Sequence, residues 1–160
     1  PDSATAQDAT APEAPATTDT PAPPANTPTA PAEMTDEELK TLAANYTESL
    51  KAINTELEPS SIHGARVKTF LDPTAFDAYQ AQRFPYAANT VSLKESHASD
   101  SGPISRLYVM KKIPGYDTAN NDWFYAVMST AGVASQKGKV QFCIACHAGN
   151  KDKDYLFGFR

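Results

Sequence analysis

Apolar residues between positions 35 and 54 recur at helical spacing. Leu39, Leu42, Ala43, Tyr46, Leu50 and Ile53 fall on one stripe, and Thr35 followed three places later by Glu38 forms a capping box. The spacing predicts an amphipathic helix over this stretch. "ELEPSSIHG" reads as a loop and "ARVKTFL", residues 65–71, as a strand. Asp72 followed by Pro73 then opens a second helix, with Asp72 as N-cap and proline in the first helical position. Residues 89–97, "NTVSLKESH", alternate: Val91 and Leu93 share one face, and Thr90, Ser92 and Lys94 share the other. Residues 105–113 and the aromatic run 123–129 predict two more strands, separated by the turn-rich "PGYDTANND". A short helix is expected to carry "CIACH", and "DYLFGFR" closes the chain. The order α-β-α-β-β-β-α predicts an α+β domain, a mostly antiparallel sheet with flanking helices.

The first 33 residues break this pattern. Of these, 25 are Pro, Ala or Thr, and none is a large apolar residue. Such a segment buries too little surface to offset its ordering entropy. Residues 1–34 are therefore expected to form a disordered, semi-stiff linker ahead of a domain over 35–160. The linker also holds the charge imbalance. The chain is net −5, with 14 basic and 19 acidic residues, and Asp2, Asp8, Glu13, Asp19 and Glu33 precede the first lysine, Lys40. Without those five the remainder balances at 14 against 14, which gives no reason to expect a nucleic acid or an anionic membrane as partner. No apolar run is long enough to span a bilayer. The chain starts at Pro1 without Met, and a Pro/Ala/Thr spacer suits an exported or lipid-tethered protein.

The chemistry concentrates in "KVQFCIACHAGN", residues 139–150. Cys143, Cys146 and His147 stand in the order C-x-x-C-H. Two thiols three positions apart on a helical turn can add to the two vinyl groups of one haem, and the adjacent histidine then becomes an axial iron ligand. Two other readings stand beside this one. A thioredoxin-type redox pair uses C-x-x-C after an early strand in a βαβ unit, which this order of elements lacks. A zinc site needs a fourth ligand, and His63 and His97, the other histidines, lack ligand-like spacing. For the iron's sixth position the candidates are Met110, Met128, His63 and His97. Strand or loop packing explains each of them without a ligand role, which leaves an open position suited to small molecules. The other ring nitrogen of His147 calls for an acceptor, either Asp154 or a backbone carbonyl.

Four blocks in order carry a family resemblance: "HGARVKTFLDPTAFDAY", "FPYAANTVSLKE", "GYDTANNDWFYAVM" and "CIACHAGNKDKDYLFGF". From His63 to Arg160 the chain resembles the cytochrome P-460 family, with its related cytochromes c′-beta. The resemblance implies one covalently attached haem c on Cys143 and Cys146, iron on His147, and often a homodimer. It also gives Lys94, in "TVSLKE", the place of a lysine that bonds to a haem meso carbon. On alternation alone, Lys94 is a solvated lysine on a polar strand face. The implied activity is redox chemistry of small nitrogen compounds: hydroxylamine oxidation with a periplasmic redox partner. The alternatives are a non-catalytic nitric-oxide-binding protein of the c′-beta type, or a simple electron-transfer cytochrome.

One departure weakens the hydroxylamine oxidase reading. Such members are expected to place a carboxylate over the iron from the segment before C-x-x-C-H, yet no Asp or Glu lies between Asp122 and Cys143. Glu95 alternates to the far face. A pocket lined by Phe70, Phe124 or Leu71 would instead suit a neutral ligand such as nitric oxide. Trp123, Tyr125, Phe142, Tyr155 and Phe157 are candidates to wrap a porphyrin, though core packing accounts for most of them; Arg66 and Lys68 read first as surface strand charges, with haem propionates or a bound ligand as alternative partners. Covalent haem attachment occurs on the export side of a membrane, which agrees with the spacer, so a periplasmic or exported protein, free or tethered through its linker, is expected.

Overall fold

A computed structural model describes residues 31–158. The Pro/Ala/Thr-rich stretch over 1–30 lies outside the described residues. Helix α1 (Asp36–Ser49) opens with the expected capping box: Thr35 N–H donates to Glu38 Oε2 at 2.7 Å, and Glu38 N–H donates to Thr35 Oγ1 at 3.1 Å. Next come β1 (Lys51–Ala52), β2 (Glu58–Pro59), β3 (Arg66–Leu71), α2 (Pro73–Gln80), β4 (Val91–His97), β5 (Ile104–Lys112), β6 (Trp123–Met128), β7 (Ala134–Gly138) and α3 (Gln141–His147). Asp72 caps α2 with Oδ1, which accepts from Thr74 and Ala75 N–H. Its Oδ2 accepts from Val91 N–H at 2.9 Å, so one side chain joins the helix start to β4.

The strands form one antiparallel sheet in the order β1-β3-β4-β5-β6-β7, with β2 also on β3. The fold is α+β, as the element pattern predicts. Alternation gives the sheet two faces. Leu39, Ala43 and Tyr46 of α1 pack on the first, against Phe70, Leu93, Leu107, Val109, Phe124, Ala126 and Met128. On the second face Met110, Trp123 and Tyr125 pack with Ala75 of α2, Ile144 of α3, and Tyr155 and Leu156 of the C-terminal segment. Among the described residues no helix is long and apolar enough to cross a membrane.

Two elements depart from the pattern-based expectation. The first helix stops at Ser49 rather than continuing through Ile53. Leu50 turns extended (φ −114°, ψ 157°), Lys51 and Ala52 pair with Leu71 and Phe70 of β3, and Ile53 crosses to the second cluster. No glycine or proline marks that stop, and backbone pairing with β3 overrides the helical periodicity. The second departure is β7, which the pattern misses. Its Ser135, Gln136 and Lys137 are exposed, so an edge strand held by ladder bonds to β6 shows no apolar alternation.

Candidate functional site

The second sheet face carries a cavity whose floor is two rungs of the ladder. Thr69, Lys94 and Tyr108 stand opposite one another on β3, β4 and β5. Ser92, Met110 and Tyr125 form the next rung across β4, β5 and β6. Helix α3 supplies the roof with Cys143 and His147, while His63, Leu156 and Phe157 close the sides. Cys143 and His147 are four apart on α3 and therefore lie on one side of it. Two recesses extend the cavity. One meets Cys146, Lys94 and Phe157; the other meets Cys143, Cys146, His147, Ile62 and Phe142. Both thiols, the imidazole and the Lys94 amine thus border one connected space.

The hydrogen bonding of His147 fixes its tautomer. Nδ1 lies 2.6 Å from the Tyr155 carbonyl oxygen. A carbonyl only accepts, so Nδ1 carries the proton and Nε2 keeps a free lone pair. Burial pushes the imidazole down to about 4, against the opposing pull of the Tyr155 bond, which preserves the neutral form a metal requires. The His147 ring meets Phe157 at 5.2 Å, Tyr125 at 5.5 Å and His63 at 6.1 Å, all edge-to-face. Cys143 and Cys146 are free thiols, and burial raises Cys143 above the ordinary thiol range. Burial lowers Lys94 below the ordinary lysine value, outweighing the opposite pull of Cys146 and Glu58. His63 is pushed down to about 3, first by burial and then by Lys94 and His147.

The structure sorts the sequence-derived candidates. Cys143, Cys146, His147 and Lys94 converge on the cavity, so the polar face of β4 is covered by α3 rather than solvated. Glu95 points the other way and accepts from Tyr46 under α1. Of the four sixth-ligand candidates, Met128 is core under α1 and His97 lies beside Glu95, whereas Met110 and His63 line the cavity. The apolar pocket expected from Phe70, Phe124 and Leu71 does not form. Phe70 and Phe124 pack under α1, and Leu71 joins the second core without lining the cavity. Of the aromatic candidates, Tyr125 and Phe157 line the main cavity and Phe142 an adjoining recess, while Trp123 and Tyr155 are core. Arg66 pairs with Asp100, and Lys68 lies over the Phe70 ring, so neither serves the cavity. The acceptor for His147 is the Tyr155 carbonyl, not Asp154. Sequence reasoning missed Thr69, Ser92 and Tyr108 as lining residues, because strand register alone brings them under α3.

An occupant of this space must offer a metal to Nε2 and two carbons to the thiols. The Tyr125 hydroxyl is buried without a hydrogen-bond partner beside Cys143 and His147, so a polar edge is called for as well. Haem brings iron, two vinyl groups, a flat apolar ring and polar propionates, and the residues present fit it. Among the described residues no group of three or more His, Cys, Asp or Glu side chains is placed to hold a metal ion by itself. Fold and cavity together fit an α+β haem-binding class, with the imidazole on the short helix α3.

Residues 43–158 match the Cytochrome P460 family, and the chain belongs to that family. Membership makes it a haem cytochrome with iron as its metal. No curated protein matches the chain.

Proposed function

We propose that the chain is an exported, mono-haem c-type cytochrome that performs redox chemistry on small nitrogen compounds of the hydroxylamine and nitric oxide class. The observation that carries this reading is the placement of the Lys94 amine in the same cavity as Cys143 and His147. Cys143 and Cys146 would hold the haem through thioethers. His147 Nε2 would bind the iron, and Lys94 would be the residue bonded to the macrocycle. The chain has two cysteines, enough for one attachment site. When bound, the haem supplies an iron centre that accepts or donates single electrons to a ligand. The chain's own side chains would hold it, and the Tyr155 carbonyl keeps the His147 proton on Nδ1. Phe142 (71% exposed) and Ile62 (52% exposed) flank the open recess, where a redox partner would reach the haem edge.

A specific observation favours a second reading. No Asp or Glu lines the main cavity, Glu58 borders only the recess shared by Lys94 and Cys146, and His63, held near 3, is a weak base. A pocket poor in proton acceptors suits capture of a neutral diatomic such as nitric oxide. Two measurements separate the readings. Peptide mass analysis shows Lys94 either attached to haem or free. Hydroxylamine-dependent reduction of an artificial acceptor is present in the first reading and absent in the second. A protein with free Lys94 and no hydroxylamine activity that still binds nitric oxide supports the second reading. Free thiols at both Cys143 and Cys146 after expression with cytochrome maturation machinery would sink both.

A further inference from the structure

Asp154 is among the most buried side chains of the described chain, at 2% exposure, and it lies outside the cavity. Four donors converge on its carboxylate. Oδ2 accepts from Tyr86 N–H at 2.7 Å and from Lys112 Nζ at 2.5 Å. Oδ1 accepts from Trp123 Nε1 at 3.1 Å and from the Asn121 side-chain amide. The donors come from the loop after α2, the end of β5, the turn before β6 and the first residue of β6. One carboxylate therefore fastens the C-terminal segment to the second face of the sheet.

That fastening sits one residue from the His147 acceptor. Asp154 and Tyr155 both adopt left-handed backbone, φ 52° and 67°, a conformation two non-glycine residues hold only when their surroundings fix it. Their N–H groups bond back to Lys151 and Asn150 carbonyls at 3.0 Å each, so the turn is fixed on both sides of its peptide. The turn directs the Tyr155 carbonyl at His147 Nδ1. A partner on the far nitrogen of a metal-bound imidazole sets ring orientation and donor strength.

We propose that Asp154 is a positioning residue for the iron ligand: its four-donor anchor holds the Tyr155 carbonyl on His147 Nδ1 and so sets the electron donation of His147 to iron. The proposal rests on the haem reading of His147. Asp154→Asn keeps the shape but turns one oxygen into an NH2 group facing the Lys112 ammonium and the Tyr86 N–H. With the turn loosened, the Nδ1–H···O bond lengthens and His147 becomes a weaker donor.

The test uses the holoprotein. In Asp154→Asn, the iron–histidine stretching band of the ferrous form moves to lower frequency and the midpoint potential rises. Asn121→Gly covers the case in which that variant fails to fold. It deletes one donor to Oδ1 at an exposed, left-handed position that glycine accepts (φ 58°), and it gives smaller shifts of the same sign. A folded, fully haem-loaded variant with both readouts at wild-type values overturns the proposal. Failure of the haem reading appears earlier and separately, as wild-type protein without covalently held haem.

Discussion

Replacing Tyr46 by Phe deletes one hydroxyl and leaves the ring. That hydroxyl donates to Glu95 Oε1 at 2.7 Å beneath α1. Glu95 is buried, and its other oxygen lies 3.1 Å from His97 Nε2. His97 Nδ1 in turn donates to the Gly102 carbonyl at 3.0 Å, which ties the β4–β5 turn into the same network. The Tyr46 ring keeps its edge contact with Phe70 at 5.2 Å, so the change opens no cavity of consequence. What is lost is a hydrogen bond to a buried carboxylate, worth about 1.5–3 kcal/mol because Oε1 is left desolvated and unpaired. The assay is urea unfolding of the holoprotein at neutral pH. With a slope of about 1–3 kcal/mol/M, the midpoint falls by roughly 1 M while the slope stays constant. The haem spectrum should not move, because alternation puts Glu95 and Lys94 on opposite faces of β4. A loss below about 0.5 kcal/mol, the scale of an ordinary surface substitution, would refute the bond's place in the core. So would a shifted spectrum with unchanged stability.

Acid should weaken the protein through His63. Its folded value of about 3 lies below the ordinary 6.5, so the unfolded chain takes up the proton first, and stability present above pH 6.5 is lost as pH falls toward 3. Between pH 7 and pH 5 the wild type should lose roughly 1–2 kcal/mol more than His63→Gln, discounted for the residue's partial exposure; parallel pH profiles would contradict this. Gly132→Ala should destabilise by about 2–5 kcal/mol. Gly132 has φ +75°, and a Cβ there would meet the Lys40 Cα, a backbone atom of α1, at 2.5 Å. Thermal unfolding measures the effect, and a variant as stable as wild type would mean that α1 does not press on this turn.

Local chemistry made part of this molecule legible in the sequence. Thr35 with Glu38, and Asp72 with Pro73, start helices through bonds made within three residues, and the structure contains both. The helix end at Ser49 depends on a partner strand some twenty residues away, and β7 depends on ladder bonds to β6. Neither leaves a pattern in its own residues. The same division holds at the site. Cys143, Cys146 and His147 announce themselves through contiguous spacing. Thr69, Ser92 and Tyr108 reach the cavity only through register across three strands. Ser92 and Lys94 looked solvent-facing because alternation tells faces apart without saying which one water covers; here α3 and the C-terminal segment cover theirs. Asp154 draws its four donors from 31 to 68 residues away, too dispersed for any local pattern to reveal.

Lys94 and Lys112 show what that covered face does to two similar side chains. They sit on adjacent strands and point to the same face. Lys112 is buried, bonded to Asp154 at 2.5 Å, and lies 5.4 Å from the Trp123 ring centre. Its charge is matched, and its removal would orphan a buried carboxylate. Lys94 has Thr69 and Tyr108 as its cross-strand neighbours, and burial holds its amine below the usual lysine value. Taking a cation from water is costly, and the attraction of Glu58 and Cys146 offsets only part of that cost, so the Lys94 amine gives up its proton more readily than an exposed lysine. A structural lysine and a reactive one should therefore respond oppositely to methionine, which keeps most of the aliphatic volume. Lys112→Met should cost about 3–5 kcal/mol in urea unfolding, since it breaks a buried pair from one side. Lys94→Met should stay within about 1 kcal/mol of wild type, because the burial cost it removes offsets the Glu58 attraction it loses, while changing the absorption spectrum of the reduced protein. A tolerated Lys112→Met beside a crippled Lys94→Met would invert this assignment and make Lys94 the structural member of the two.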